Sequence, residues 1–179
     1  MLIRAANEAD LPQMRAIYAP YVRETAISFE YRVPSEAEFA ARFARITAHF
    51  PWLVAEEAGI VVGYAYGDLP FTRDAYAWSA ESSIYIHRDW RREGIGAALY
   101  AALEPQLAQL GFCTLYAIVT GENQNSVAFH ERLGFQKVAV MPRVGYKFGR
   151  WQDPIWLMKV LREGPPGPAP LPPADLKNC

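Results

Sequence analysis

Residues 85–111, YIHRDWRREGIGAALYAALEPQLAQLG, pass from an alternating apolar run through an Arg pair and two glycines into an Ala- and Leu-rich helical pattern. A turn from a strand into a helix presents free backbone N–H groups and the positive end of the helix dipole, which together suit phosphate. Gly94 and Gly96 remove side chains that would keep a phosphate away, and Arg91 and Arg92 neutralise its charge. The sequence therefore predicts a turn that binds a diphosphate.

Two common nucleotide motifs do not account for this turn. The phosphate loop of nucleotide triphosphatases requires Gly-Lys-Ser/Thr, which the sequence lacks. A dinucleotide fingerprint needs a third glycine where this chain has Leu99, and no nucleotide-binding βαβ unit opens the chain. What remains is Arg-x-x-Gly-x-Gly within "RREGIG".

Composition indicates one well-buried domain without a strong electrostatic field. The chain has 179 residues, 51% of them hydrophobic, with 18 basic and 19 acidic side chains. A net charge of −1 gives no general attraction for nucleic acid or an anionic membrane. The start lacks the apolar segment of a signal peptide, and the two cysteines form neither a metal-ligand pattern nor a disulfide framework. We expect a cytoplasmic protein.

Hydrophobic periodicity and capping residues predict an α/β fold in the order β-α-α-β-β-β-α-β-α-β-β, with a mixed sheet and helices on both faces. Asp10 is predicted to cap the first helix, and Ser35 with Glu38 forms a capping box for the second. The strand at 82–87, the helix at 94–110 and the strand at 113–119 predict one right-handed βαβ unit with parallel strands.

The end of the chain, residues 163–179, is rich in proline and is expected to be an extended tail that cannot pack a core. The predicted domain therefore covers residues 1–162.

Three motifs resemble the GNAT superfamily of N-acetyltransferases: "RREGIG", "NQNSVAFHERLGF" and "IRAANEADLPQM". The resemblance implies a twisted, mostly antiparallel mixed sheet of six to seven strands with about four helices. It also implies acetyl-CoA as the co-substrate, bound at the glycine turn, and no metal. "PWLVAEEAG", "AYAWSAESSIYI" and "VGYKFGRWQD" look like the phosphinothricin acetyltransferase branch, which implies a small amino-acid-like amine as substrate and a homodimer.

The same resemblance implies two catalytic residues. Glu81 is similar to the branch's catalytic glutamate, which takes the proton of the amine; a solvent-facing strand glutamate is the alternative. His130 stands where most of the superfamily has a tyrosine that acts as general acid; a packing histidine is the alternative. Because histidine titrates near neutral pH, which of the two residues is acid and which is base stays open.

For the coenzyme, we expect the backbone of Ile84, Tyr85 and Ile86 to pair with the pantetheine amides and to supply an oxyanion donor. Asn125 is expected to contact the pantetheine arm or a phosphate, or to cap the next helix. The pyrophosphate-binding residues implied by the turn are Arg91, Arg92, Glu93, Gly94, Ile95, Gly96 and Ala97.

For the amine substrate, Arg73 is expected to bind the carboxylate, and Phe29 is similar to the aromatic lid of the family. Tyr76 and Tyr85 are expected to line the pocket or to be packing residues. Lys147, in a glycine-punctuated loop at 143–151, is expected to contact coenzyme or substrate or to be a solvated loop lysine. Phe71 stands where some phosphinothricin-specific members have a lysine, so one cation of those members is missing.

The predicted function is acetyl transfer from acetyl-CoA to the α-amino group of a phosphinothricin, methionine sulfoximine or methionine sulfone type of substrate. Direct attack is expected, since Cys113, at the start of a buried strand, is the sole nucleophile to consider for a covalent route. Acetylation of protein N-termini and a non-catalytic CoA-binding module are the alternatives.

Overall fold

The computed structural model describes residues 1–90, 94–164 and 166–171. Four α-helices and nine strands follow one another along this part of the chain. Their bounds are β1 Leu2–Ala5, α1 Leu11–Glu24, α2 Glu36–Thr47, β2 Trp52–Glu57, β3 Ile60–Asp68, β4 Ser79–Ile86, α3 Ile95–Leu110, β5 Thr114–Thr120, α4 Gln124–Arg132, β6 Gln136–Val140, β7 Gly145–Lys147, β8 Arg150–Gln152 and β9 Pro154–Val160.

Seven of these strands form one sheet in the order β1-β2-β3-β4-β5-β9-β6. Every neighbouring pair is antiparallel except β4 and β5, which are parallel and joined through α3. The predicted mixed α/β fold and its βαβ unit are therefore confirmed. None of the helices in the described ranges has both the length and the apolarity needed to cross a lipid bilayer.

The sheet opens between β4 and β5. These strands pair only where Ser79–Glu81 meets Thr114–Tyr116, although β4 continues to Ile86 and β5 to Thr120. Beyond that point no ladder joins them, and a gap separates two strand ends beside the first turn of α3. The gap is the feature of the fold that places the candidate site.

Helix α3 seals one face of the sheet around this gap. Its side chains Leu99, Leu103 and Leu107 are fully buried. Gly111, with φ 109°, closes the helix in the left-handed conformation that glycine adopts most readily. The α3 segment thus holds β4 and β5 at a fixed separation.

One predicted helix cap is confirmed in position but not in its bonding, since Asp10 is the N-cap residue of α1. Ser35 and Glu38 form the expected capping box of α2, but Asp10 makes no side-chain cap for α1. Its carboxylate accepts two hydrogen bonds from Arg4, both at 2.7 Å. Asn7 caps the short 3₁₀ turn before α1 instead.

Residues 143–151, predicted as a loop, contain the hairpin β7–β8. Lys147 pairs with Arg150 across a two-residue turn, and both turn residues have positive φ, 53° at Phe148 and 74° at Gly149. Two positive φ values characterise the tight turns that match the twist of a hairpin. Phenylalanine rarely adopts this conformation, so the sequence did not indicate the turn.

Part of the proline-rich tail packs on the domain, contrary to the expectation. The Trp78 indole donates to the carbonyl of Gly167 at 3.0 Å. Leu171 is 4% exposed and joins the hydrophobic core. Pro170 lies where a Cβ on Gly111 would contact it at 3.4 Å. Residues 166–171 are therefore docked, because apolar side chains bury against the end of α3.

Candidate active site

A cleft of about 1290 Å³ follows the gap between β4 and β5. One part, here called the coenzyme groove, runs along β4 and the starts of α3 and α4. The other part, here called the acceptor arm, lies over the opposite face of β3 and β4, beneath α2 and the segment that carries Phe29. The coenzyme groove is lined by Ile84, Ile86, Gly94, Gly96, Ala97, Asn125 and Phe129, and the acceptor arm by Tyr18, Phe29, Glu30, Arg42, Tyr66, Asp68 and Glu81.

The glycine turn has the geometry that close approach of a ligand requires. Gly94 has φ 75° and open space where a Cβ would project. A Cβ on Gly96 would lie 2.9 Å from the ring of Phe129, so this position has no room for a side chain. Free N–H groups of the first turn of α3 follow at once, which fits the pyrophosphate of acetyl-CoA. Arg91, Arg92 and Glu93, also predicted to bind it, lie outside the described residues.

The edge of β4 offers alternate backbone groups to the gap. His87 donates to Val62 at 2.8 Å, so residues 85 and 87 hydrogen-bond to the neighbouring strand β3. Ile84 and Ile86 therefore direct their N–H and C=O groups into the gap, where the Tyr21 hydroxyl contacts both groups of Ile86. The expectation for the Tyr85 backbone is wrong, because its polar groups face β3.

Helix α4 forms the far wall of the groove. Its N-cap is Asn123, whose side chain accepts from the Ser126 N–H at 3.3 Å. Asn125, the predicted alternative cap, lies inside the helix and lines the groove. Its contact with the coenzyme stays a prediction.

Glu81 lies at the end of the β4–β5 pairing, where the gap begins. It is partly buried and directly opposite Asp68 of β3 in the register. Burial, helped by the negative charge of Asp68, raises the pKa of Glu81 to about 7. A carboxyl group with this pKa can exchange a proton near neutral pH, which an ordinary glutamate does poorly.

His130 is 2% exposed and belongs to a buried hydrogen-bond chain. Its Nε2 lies 2.7 Å from the Tyr100 hydroxyl, which lies 2.8 Å from the Ser82 hydroxyl. Ser82 in turn reaches the carbonyl of Tyr116 at 3.1 Å. Sequence reasoning missed Tyr100 and Ser82. A tyrosine within the otherwise apolar pattern of α3 could have indicated a buried hydroxyl that needs a hydrogen-bond partner.

The carbonyl of Ser126 fixes the tautomer of His130. It lies 2.7 Å from Nδ1, which must carry a proton to bond to it. Nε2 of the neutral ring then accepts from Tyr100. Burial lowers the pKa of His130, although the bond to Ser126 opposes this effect, so the neutral ring is the resting form.

Arg73 and Tyr76, both predicted to bind substrate, lie outside the cleft lining and are exposed. The segment that carries them is held by ring contacts on the outer sheet. Phe71 lies 4.6 Å from Tyr76 and 5.7 Å from Trp156, measured between ring centroids. The structure therefore does not place the predicted carboxylate-binding arginine at the site.

Lys147 contacts neither solvent nor the cleft, so both expectations for it are wrong. It is 3% exposed, and its ammonium group donates to the carbonyls of Val22 at 2.8 Å and Ser28 at 2.6 Å. These bonds hold the segment that carries Phe29, which does line the cleft. A Cβ on Gly145 would meet the Phe29 ring at 2.5 Å, so glycine lets the hairpin approach this segment.

The acceptor arm contains two cations that sequence reasoning missed. Arg42 and Arg45 project from α2 into the lining and form ion pairs with Glu30 and Asp68. Tyr85 also lines this region, and its ring packs against those of Tyr18 at 4.8 Å and Tyr21 at 5.2 Å. Arg42 and Arg45 are three residues apart, a spacing that is also common on the solvent-exposed side of a helix. The sequence therefore did not indicate that they line the cleft.

Comparisons with known proteins agree with this geometry. A family profile described as "Acetyltransferase (GNAT) domain" matches residues 3–156. The L-methionine sulfoximine/L-methionine sulfone acetyltransferase of Pseudomonas aeruginosa is 39% identical over 155 residues, covering 84% of this chain and 89% of that protein.

Two crystal structures are also similar. That of a phosphinothricin acetyltransferase from Sinorhizobium meliloti in complex with acetyl-CoA has a TM-score of 0.89 and 38% identity, covering 93% of each chain. That of a ribosomal-protein-alanine N-acetyltransferase from Brucella melitensis has a TM-score of 0.86 and 34% identity, covering 89% of this chain and 99% of the other. The chain therefore belongs to the GNAT superfamily and is an acetyltransferase that uses acetyl-CoA as its co-substrate.

Proposed function

We propose that this enzyme transfers the acetyl group of acetyl-CoA to the α-amino group of a small amino-acid-like substrate. The expected substrates are of the phosphinothricin, methionine sulfoximine or methionine sulfone type, as in the names of its relatives. The observation that carries the proposal is the position of Glu81, a carboxyl group with raised pKa where the coenzyme groove meets the acceptor arm.

Glu81 acts as the base in this proposal. The α-amino group of a free amino acid is mostly protonated at neutral pH and must lose a proton before it can attack a thioester. With a pKa of about 7, Glu81 is partly ionised at neutral pH and holds the proton better than an ordinary carboxylate. The neutral amine then attacks the thioester carbonyl of bound acetyl-CoA.

The N–H of Ile84 stabilises the negative charge that develops on the carbonyl oxygen, since the register of β3 and β4 directs this group into the gap. The attacking nitrogen loses a second proton as the amide forms, and the departing thiolate takes up one. The Ser82–Tyr100–His130 chain can carry one in either direction, because Nε2 of neutral His130 accepts from Tyr100 and the protonated ring donates to it. His130 is in this way part of the proton route.

Direct attack is supported by the position of Cys113. Its sulfur lies just before β5 and contacts the carbonyl of Gly111 at 3.7 Å, and Cys113 does not line the cleft. A thiol at that position is poorly placed to carry an acetyl group.

The test is an assay of thiol release from acetyl-CoA with a panel of L-amino acids that includes phosphinothricin, methionine sulfoximine and methionine sulfone. We expect turnover with at least one of these three compounds and an N-acetyl product by mass spectrometry. Hydrolysis of acetyl-CoA without product formation would contradict the proposal.

Acetylation of protein N-termini is a second candidate. The observation that favours it is that Arg73 lies outside the cleft, which leaves the acceptor side without that carboxylate-binding cation. A ribosomal-protein-alanine N-acetyltransferase is also among the similar structures. A peptide with an N-terminal alanine, assayed beside the free amino acids, separates the two: this candidate requires a higher kcat/KM for the peptide.

We also propose a homodimer, a cytoplasmic location, and a domain over residues 1–162 against which residues 166–171 dock. The dimer is supported by exposed apolar side chains on β6 and on the β7–β8 hairpin, including Val138, Val140, Tyr146, Phe148 and Trp151. Such clusters commonly mark protein interfaces. Analytical ultracentrifugation tests the dimer, and cell fractionation tests the location.

A further inference from the structure

Both arginines that line the acceptor arm form ion pairs with carboxylates of the protein. Arg42 is bonded through Nη2 to Oε1 of Glu30. Arg45 binds both oxygens of Asp68, at 3.1 and 2.8 Å. Since Glu81 adds a third carboxyl group, carboxyl groups outnumber guanidinium groups among the described residues of this arm.

The Arg42–Glu30 pair lines the same cleft as Glu81. The Arg42 guanidinium is 5.9 Å from the ring centroid of Tyr18 and interacts electrostatically with Tyr66. Tyr66 and Asp68 share one face of β3, and Asp68 lies opposite Glu81. Alternate residues of a strand are about 7 Å apart, so an amino acid whose amine meets Glu81 can extend its side chain to the pair.

The pair presents a donor and an acceptor side by side. Oε2 of Glu30 is buried and has no hydrogen-bond partner. A guanidinium has five N–H donors, and the bond from Arg42 to Glu30 uses one of them. A buried carboxylate oxygen without a partner gains free energy when a ligand N–H or O–H reaches it. A ligand group with both an acceptor and an N–H donor therefore satisfies both residues.

Resting on the proposed function, we infer that the Arg42–Glu30 pair is a specificity determinant of the acceptor arm. It selects amino acids whose side chain ends in an uncharged group with an acceptor and an N–H donor, such as a sulfoximine or a carboxamide. It disfavours an anionic side chain such as a phosphinate, because Glu30 compensates the charge of Arg42 and repels a second anion.

The experiment compares kcat/KM for L-methionine sulfoximine, L-methionine sulfone and L-phosphinothricin within each variant. These compounds end respectively in a neutral group with an N–H donor, a neutral group without one, and an anion. We expect the wild-type order sulfoximine, sulfone, phosphinothricin. Ratios between substrates cancel any general loss of folded or active enzyme.

Glu30→Gln removes the negative charge but keeps an acceptor oxygen. It should lower the sulfoximine-to-phosphinothricin ratio by about tenfold or more, since an uncompensated Arg42 now attracts the phosphinate. Arg42→Gln should raise the same ratio, because the Glu30 carboxylate is then unopposed. The control is Glu24→Gln, which removes the same charge from an exposed ion pair with Arg88 outside the cleft and should leave the ratio unchanged.

Two results overturn this inference and leave the acetyltransferase proposal intact: phosphinothricin as the preferred substrate of the wild type, or ratios that do not move in Glu30→Gln and Arg42→Gln. Either variant decides the matter if the other does not fold. If none of the three amino acids is acetylated by the wild type, the proposed function and this inference fall together.

Discussion

The Tyr100 hydroxyl and Nε2 of His130 are 2.7 Å apart in the core of the enzyme, one on α3 and the other on α4. Both side chains are almost fully buried. The proton route proposed for His130 therefore includes a tyrosine that no sequence motif indicated.

Tyr100→Phe should lower kcat by about 10²-fold, because the ring still fills its place but the hydroxyl that joins Ser82 to His130 is lost. The measurement is kcat with KM for both substrates, beside a thermal unfolding curve. Tyr146→Phe, at a half-exposed tyrosine on β7, is the matched control. Equal kcat values in the two variants would contradict the proposed proton route through Ser82, Tyr100 and His130.

Glu81→Gln should reduce kcat by about 10²-fold or more at neutral pH, since the amide cannot accept the ammonium proton. Acetyl-CoA affinity, measured by isothermal titration, should be nearly unchanged. At high pH the substrate amine loses its proton to solvent, so the deficit of the variant should shrink. Near-normal turnover at pH 7 would refute Glu81 as the base.

Asp68→Asn should shift the acidic limb of the kcat/KM profile to lower pH. The base must be ionised to act, so activity of the wild type should rise as the pH passes the Glu81 pKa of about 7. The negative charge of Asp68 contributes to raising that pKa, so its loss lowers the pKa of Glu81. Asp74→Asn, outside the cleft, serves as control. A limb that stays in place or moves to higher pH would contradict this assignment.

Gly96→Ala should raise KM for acetyl-CoA by about tenfold or more, because the added methyl group meets the Phe129 ring at 2.9 Å and the groove must shift. Gly167→Ala is a fitting control, since a Cβ there meets nothing within 4 Å. Unchanged coenzyme affinity in Gly96→Ala would show that the turn does not line the pyrophosphate site.

Lys147→Met should destabilise the fold by about 1–3 kcal/mol, because the carbonyls of Val22 and Ser28 lose their buried donor. It should also raise KM for the amine more than KM for acetyl-CoA, since those carbonyls flank the segment that carries Phe29. Chemical denaturation and steady-state kinetics measure the two effects. The reverse order of the KM changes would contradict a link between Lys147 and the acceptor arm.

The sequence predicted the local structure of the glycine turn better than the contacts of the acceptor arm, for a physical reason. The turn at Gly94 and the helix after it depend on local backbone conformation and on the helix dipole, which neighbouring residues determine. The mixed sheet follows from the alternation of strand and helix patterns. These features were predictable because each is encoded within a short stretch of the chain.

The acceptor arm is built from contacts between distant segments. Lys147 bonds to carbonyls 119 and 125 residues earlier in the chain, and Arg42 meets Glu30 from a different element. The hydrophobic periodicity of a sequence gives no information about contacts between residues that are so far apart in the chain. Arg73 was predicted to bind substrate because it is a cation shortly before β4. The ring contacts of Phe71 hold its segment on the outer sheet, away from the cleft.

The docked residues 166–171 contact the segment that leads directly into β4, the strand that carries Glu81. Gly167 holds the Trp78 indole, and Trp78 immediately precedes β4, three positions before Glu81. Proteolytic removal of residues 166–171 would thus be expected to loosen β4 near Glu81. The Trp78 indole therefore links the docked residues 166–171 to the strand that carries Glu81.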